Sequence, residues 1–412
     1  MNARKRILFV DDEPNVIDAL RRMLRKQRDE WDMEFVTSGR AALERMKLAP
    51  FHVMVTDLRM PDMNGAELLE QVVEKYPDTV RIVLSGHADE DMITRAMRLA
   101  HQFLWKPTDA EVLKAAVTRS LSTSSVLHDP RIRAAVARCD TLPTLPTLYV
   151  ELTRAIESAT SDARQIAAII SRDMAVSAKI LQLVNSSFFG LGRRVSSIEQ
   201  TVSLLGVNRI RGLVLTESIV RQFKPPSNLK QFSTGAFWEH AALVAEVARC
   251  ISRAEGQQGD RPDQAFTAGL LHDIGKLIFA SQHTKVYAEI LEESAETGEP
   301  VCQIEMRRLN VTHAEVGAYL LGLWALPSRI TEAIALHHEP SRIPYNGLCA
   351  VTAVHVANVL SHAQCAVTPA EQEAHLAALD TAYLERIGLA GRVPAWTKLA
   401  GDALARRQAA AV

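Results

Sequence analysis

Two sets of side chains in this 412-residue sequence have the types and spacing to do chemistry. The first is acidic: Asp11 and Asp12, then Asp57, followed by Ser85 and Lys106. Three carboxylates gathered at one place repel one another unless a cation neutralises them, and hard oxygen ligands select Mg²⁺. An ionised Asp57 beside such a cation can act as a nucleophile toward a phosphoryl group. The ammonium of Lys106 would then offset charge on the transferred oxygens, and the Ser85 hydroxyl would donate to one of them. The second set is rich in imidazole: His240, His272-Asp273 in "GLLHDIGK" with Lys276, His313 and His337-His338. Neutral imidazoles with an adjacent carboxylate bind divalent transition metals, and a metal so held can activate water toward a phosphoester. Read singly, each of these residues is ordinary: a solvated acid or lysine in a loop, or a histidine hydrogen-bonded within a helix.

Joint placement on secondary structure gives the acidic set its meaning. Short apolar runs at 7–10, 35–37, 52–56, 81–84 and 102–105 alternate with helix-like segments carrying Val16/Leu20/Met23, Ala42/Leu43/Met46, Leu68/Leu69/Val72, Ile93/Ala96/Met97 and Val112/Ala116/Leu121. Five strand–helix units of this kind predict an α/β flavodoxin-like, doubly wound parallel sheet whose site lies at the carboxyl ends of the strands. Asp11-Asp12, Asp57, Ser85 and Lys106-Pro107 fall at four of those ends. The segments "ILFVDDEP", "VMVTDLRMPDMNGAELL", "VLSGHAD" and "FLWKP" resemble, in order, the motifs of response-regulator receiver domains. That resemblance implies phosphotransfer from the phosphohistidine of a sensor histidine kinase onto Asp57. It also implies Mg²⁺ held by Asp11, Asp12, Asp57 and the backbone carbonyl of Arg59, a switch pair of Ser85 and Phe103, and a cis peptide between Lys106 and Pro107.

Beyond a polar stretch at 122–125 and the breaker His128-Asp129-Pro130, the strand signal ends. Helical spacing runs through 163–185, 202–220, 241–254 and 316–326, so the second half is expected to be all-α, with the Pro225-Pro226 region dividing it into two bundles. "LPTLP", "VNSSFFG", "SIEQTVSLLGVNRIRGLVL", "WEHAALVAEVA" and "AGLLHDIGKLIF" are similar to the HDOD branch of the HD phosphohydrolase superfamily. The resemblance implies a regulatory or scaffolding output with an incomplete active site. Where catalytic relatives carry a last metal-binding aspartate, "AVTAVHVANVLSH" has Asn358, or His355, and no Gly-Tyr-Pro loop follows His337-His338. Retention of His240, His272, Asp273, His313, His337 and His338 nevertheless leaves a divalent transition-metal site open.

The expected organisation is a receiver domain at 1–122, a linker at 123–138, an HDOD domain at 139–345 and a helical extension at 346–412 packed on it. Protein–protein interaction is the expected output, through a downstream signalling protein and a homodimer. A metal-dependent phosphohydrolase, acting for instance on a cyclic dinucleotide, is the alternative. A formal net charge of −1 and the sparse pairs Arg209/Arg211 and Arg406/Arg407 give no drive toward nucleic acid. Five scattered cysteines without a C-x-x-C pair read as small buried hydrophobes in a reducing compartment. With no apolar stretch near the ~18 residues of a membrane span, a cytoplasmic protein is expected.

Overall fold

A computed structural model describes residues 4–76, 79–86, 92, 95–96, 99–106, 108–114, 116–118, 146–157, 162–185, 195–227, 229–324, 326–343 and 346–409. The expected linker, Cys139, Pro107 with its peptide bond, residues 87–89, and most of "LPTLP" and "VNSSFFG" lie outside the described residues. Two compact units emerge, one of Met1–Val150 with Tyr319–Leu326, the other of Glu151–Ala318 with Pro327–Val412.

The first unit holds a five-stranded sheet in the order β2-β1-β3-β4-β5. Its strands are β1 (Lys5–Val10), β2 (Trp31–Val36), β3 (Val53–Thr56), β4 (Val80–Ser85) and β5 (Gln102–Trp105). Every pairing is parallel, which is the flavodoxin-like arrangement with its switch point between β1 and β3. Helices α1 (Pro14–Met23), α2 (Gly39–Leu48) and α3 (Gly65–Lys75) follow the first three strands. Asn64 and Glu67 form a reciprocal capping box that starts α3 immediately beyond the loop carrying Asp57. β2 begins at Trp31, four residues earlier than its apolar run. It lies at the sheet's edge, where Asp32 and Glu34 pair with Arg6 instead of being buried, so apolarity underestimates its length.

The second unit is helical: α4 (Thr147–Glu157), α5 (Ala163–Ser171), α6 (Met174–Asn185), α7 (Ile198–Leu205), α8 (Val207–Gln222), α9 (Thr234–Ala254), α10 (Arg261–Leu271), α11 (Ile274–Gln282), α12 (Thr284–Thr297), α13 (Val301–Leu309), α14 (His313–Leu323), α15 (Ser328–Leu336), α16 (Ala350–Cys365), α17 (Pro369–Leu376), α18 (Thr381–Arg386) and α19 (Val393–Ala409). Two long apolar tracts each split into a helix pair. Asp173 caps α6 by accepting from the amides of Ala175 and Val176, and Gly206 at φ +81° turns α7 into α8.

Two expectations need correction. The Pro225-Pro226 region does end α8, but it does not divide the domain into two bundles. A Cβ on Gly212 of α8 would come within 3.1 Å of Thr267 on α10, so helices on both sides share one core. Proline breaks the backbone ladder without preventing side-chain packing across the break. The described cysteines are also not buried hydrophobes: Cys250, Cys302 and Cys349 are half-buried and Cys365 is exposed. Three of them sit at helix termini, Cys302 opening α13 and Cys349 and Cys365 flanking α16, where the chain turns toward solvent. In the last part of the chain, fully buried Trp396 on α19 donates its indole N–H to Glu255 beyond α9. Among the described residues, no helix is long and apolar enough to cross a membrane.

Candidate functional site

At the carboxyl edge of the sheet, β1 ends at Val10 and β3 at Thr56, neighbours in the parallel register. The next residues, Asp11 and Asp57, therefore arrive side by side at the switch point. Asp57 is anchored by its amide on Val10 O at 2.9 Å, and its Oδ1 accepts from the Leu58 amide at 2.7 Å. Asp11 Oδ1 accepts from the Glu13 amide at 3.1 Å. Lys106, just after β5, reaches across β4 and places Nζ 2.6 Å from Asp11 and 3.0 Å from Asp57. Gly65 is required beneath this loop, because a Cβ there would stand 2.1 Å from the Asp57 carbonyl oxygen.

Ser85 ends β4 fully buried, and its hydroxyl has no hydrogen-bond partner among the described residues. Phe103, half-buried on β5, packs against the core of this unit. Asp12 is half-buried, and its carboxylate lies with those of Asp11 and Asp57 within 4.8 Å of one another. Arg59 is exposed two residues beyond Asp57. Burial pushes the Asp11 carboxyl up despite its ion pair with Lys106. Burial also works against the Lys106 charge, but Asp11 and Asp57 prevail and hold its pKa above the ordinary lysine value. Three carboxylates answered by one ammonium leave room for a hard divalent cation, so the residues present fit Mg²⁺.

The helical unit gathers its imidazole set around Asp273. His240 comes from α9, His272 and Asp273 from the corner between α10 and α11, His313 from the start of α14, and His337 and His338 from the end of α15. Asp273 Oδ2 lies 3.3 Å from His272 Nε2 and 3.9 Å from His240 Nε2. Its Oδ1 lies 3.2 Å from His313 Nε2 and 3.9 Å from His337 Nε2. His338, exposed at the rim, brings its Nε2 to 3.1 Å from His313 Nε2. Two groups result whose ligand atoms lie close enough to hold a metal ion, His240/His272/Asp273 and His313/His337/His338. Gly275 is pressed against the chain here as Gly65 is in the receiver: a Cβ would stand 2.0 Å from the His313 carbonyl oxygen.

Imidazole orientation supports the fit to a metal. His272 Nδ1 is 2.8 Å from Gly269 O, and His337 Nδ1 is 2.7 Å from Ile334 O. In the neutral imidazole that binds a metal each donates there, which leaves Nε2 as the lone pair facing inward. His272 Nε2, His337 Nε2 and Asp273 Oδ1 are buried without a hydrogen-bond partner among the described residues. Burial, helped by His338, His272 and His313, holds His337 well below the usual imidazole value. Burial tends to raise the Asp273 carboxyl, but His272, Lys276 and His313 outweigh it and keep the acid well below the carboxylate range. One feature competes with a metal: Lys276 Nζ sits 2.7 Å from Asp273 Oδ2.

Of the two alternatives for the last ligand position, Asn358 faces the cluster, with Oδ1 2.9 Å from His240 Nε2. His355 does not: its Nδ1 donates to His337 O and its Nε2 accepts from the Asp380 amide, so both nitrogens are spent on structure. Two residues at this site escaped sequence reasoning. Glu305 on α13 accepts from both the amide and the Nδ1 of His313. His362, one turn beyond Asn358 on α16, packs its ring at a tilt with the centroid 4.2 Å from that of His240. The i, i+4 spacing of Asn358 and His362 was the available signal for the latter. Arg209, half of the sparse basic pair, spends its Nε on Leu205 O at 2.7 Å.

Two family models match the chain: the response regulator receiver domain over residues 7–118 and the HDOD domain over residues 142–340. An uncharacterised protein of Treponema pallidum is 28% identical over 265 residues, covering 64% of this chain and 50% of that protein. The hydrogenase transcriptional regulatory protein HoxA of Cupriavidus necator is 34% identical over 125 residues, covering 30% of this chain and 25% of HoxA. The chain thus spans from a quarter to half of the length of these relatives. A solved Shewanella amazonensis protein, described as a proposed phosphohydrolase, is 23% identical with a TM-score of 0.50 over 68% of this chain and 98% of its own, a likeness of fold. With an α/β sheet of receiver topology followed by a helical HDOD region, the chain joins a response regulator receiver domain to an HDOD domain.

Proposed function

We propose that this protein is a phosphorylation-controlled signalling switch. Asp57 accepts a phosphoryl group from the phosphohistidine of a sensor histidine kinase, and the modified receiver alters what the HDOD domain binds. The observation that carries this reading is the ammonium of Lys106 bridging Asp11 and Asp57 beside the unpartnered, buried hydroxyl of Ser85. In the transfer, a carboxylate oxygen of Asp57 bonds to phosphorus while the phosphorus–nitrogen bond breaks and its electron pair returns to the imidazole. Mg²⁺, held by Asp11, Asp12, Asp57 and the Arg59 carbonyl, would supply charge neutralisation on the phosphoryl oxygens. Lys106 offsets the remaining charge, and Ser85 donates its hydroxyl hydrogen to a phosphoryl oxygen. Movement of Ser85 lets Phe103 turn inward and changes the surface beside β4 and β5. Such a shift biases a partner interface by the ~1–3 kcal/mol typical of allosteric coupling.

The output is binding of a downstream signalling protein, with self-association into a homodimer as the accompanying change. Incubation of the full chain with acetyl phosphate and Mg²⁺ is expected to add one phosphoryl mass, lost in Asp57→Asn. An unmodified wild type, or a modified Asp57→Asn, would defeat this reading.

A second reading, a receiver-regulated phosphohydrolase acting on a phosphodiester such as a cyclic dinucleotide, is favoured by the inward-facing lone pairs of His272 and His337. Two features weigh against turnover: the neutral amide of Asn358 supplies no second carboxylate, and Lys276 occupies Asp273. Metal retention without turnover of cyclic diguanylate or a generic phosphodiester supports the binding role. Turnover abolished by His272→Ala would replace it.

A further inference from the structure

Glu305 is an anomaly on its helix. It sits next to Ile304 on the buried face of α13, completely enclosed, in a segment whose other charged residues, Arg307 and Arg308, point outward. A buried carboxylate without a charged or hydrogen-bonding partner costs several kcal/mol, so its partner identifies its role. For Oε2 that partner is His313 twice over, since Oε2 accepts from the His313 amide at 2.8 Å and lies 2.6 Å from His313 Nδ1, while Oε1 is buried near Tyr287 with no hydrogen-bond partner among the described residues. Because an ionised carboxylate can only accept, Nδ1 carries the hydrogen.

We propose that Glu305 is a positioning residue of the imidazole cluster, fixing both the tautomer and the direction of His313 so that its Nε2 is aimed at Asp273 and His338. His272 and His337 obtain the same orientation from carbonyl oxygens three residues earlier in their own helices. His313 cannot, because it is the first residue of α14 and has no preceding turn. The chain instead closes α13 through Asn310 in the left-handed conformation, φ +56°, and carries Glu305 back beneath the start of α14. A carboxylate behind a ligating histidine also raises the basicity of the opposite nitrogen more than a carbonyl does. Of the three, His313 would be the strongest donor. The link to metal rests on the metal-binding reading above; the orientation of His313 does not.

The test uses the full-length protein stripped of metal and titrated with Co²⁺, whose visible absorption reports ligand geometry. Glu305→Gln keeps the shape and removes the charge. It is expected to weaken Co²⁺ binding about 10-fold, and Glu305→Ala about 100-fold, the range for loss of an outer-shell partner. Equal affinity and an identical spectrum in Glu305→Gln would overturn the assignment. Glu305→Gln carries the test if the alanine variant fails to fold, with circular dichroism as the check. A second readout needs no metal: in ¹⁵N-histidine-labelled apo protein, His313 is expected to show a strongly deshielded Nδ1 proton that moves upfield in Glu305→Gln. If wild type binds no Co²⁺ while this proton responds, the metal reading falls and the positioning role stands. If the proton is absent or indifferent to Glu305, the positioning role falls.

Discussion

The receiver site and the imidazole site bury charge in opposite ways. The first packs three carboxylates around one ammonium. The second packs five imidazoles around one carboxylate, itself paired with one ammonium. In the receiver, parallel register alone brings Asp11 and Asp57 together, since each follows the last residue of adjacent strands. In the helical unit no such rule operates, and helix ends from distant parts of the chain converge only through packing. The lesson is that a sheet edge positions its residues by topology, whereas a helical cluster depends on a few close backbone approaches. Each site has such an approach at a glycine, Gly65 against Asp57 and Gly275 against His313.

The largest expected effects come from closing those approaches. In Gly275→Ala the new methyl would stand 2.0 Å from the His313 carbonyl oxygen and 2.8 Å from its Cα. Backbone must move, at a cost of roughly 1–3 kcal/mol or more, and His313 leaves the cluster. Metal content of the purified variant should fall while acetyl-phosphate labelling persists. Gly65→Ala, with its methyl 2.1 Å from the Asp57 carbonyl oxygen, should do the reverse. If either variant lost both properties equally, or neither, the two sites would not be separately positioned.

A smaller effect is expected from making the helical site more like the receiver's. Asn358 Oδ1 already faces His240 Nε2 at 2.9 Å, so Asn358→Asp adds a second carboxylate without altering shape. A charged ligand for a neutral one should tighten Mn²⁺ or Co²⁺ binding about 10-fold, or ~1.4 kcal/mol. Isothermal titration would read this directly. Weaker binding in the variant would mean that position 358 lies outside the ligand sphere.

How much of this was legible beforehand differs between the halves. All five strands and the placement of Asp11, Asp57, Ser85 and Lys106 at their ends follow from alternation of apolar runs, because a doubly wound sheet has few solutions. The start of β2 was missed where edge exposure allows Asp32 and Glu34. In the helical half, helix content was readable, but two tracts concealed breaks at Asp173 and Gly206, where a cap and a positive φ override periodicity. His240, His272 and Asp273 were named from their motifs and His313, His337 and His338 from residue type and order, and the structure brings all six together. Glu305 had no motif, and His362 only its i, i+4 spacing from Asn358, which does not report which buried face meets which.

Opposite charge sets also predict unequal responses to acid, the subtlest contrast. Asp11 has its folded pKa raised above 3.8 by burial, so its contribution to stability is present below that value and is lost as pH rises through the raised one. His240 and His337 are held well below 6.5 by burial, and His362 is lowered to about 4 for the same reason. Their contribution is present above 6.5 and is lost as pH falls toward the depressed values. His313 works the other way, since Glu305 outweighs burial and raises it, but it is one imidazole against five, because His338 and His355 are lowered by burial as well. Solvent screening trims the ideal ~1.4 kcal/mol per shifted unit, and ~1 kcal/mol moves a domain of this size by about 2–4 °C. Calorimetry of the chelator-treated protein between pH 7 and 5 should therefore show the helical transition falling by a few degrees and the receiver transition falling less, since in the receiver buried His101, also held well below 6.5, opposes the gain from Asp11. Parallel shifts of both transitions would mean that burial of these groups does not govern their titration, and the contrast between an acidic and an imidazole site would lose its energetic content.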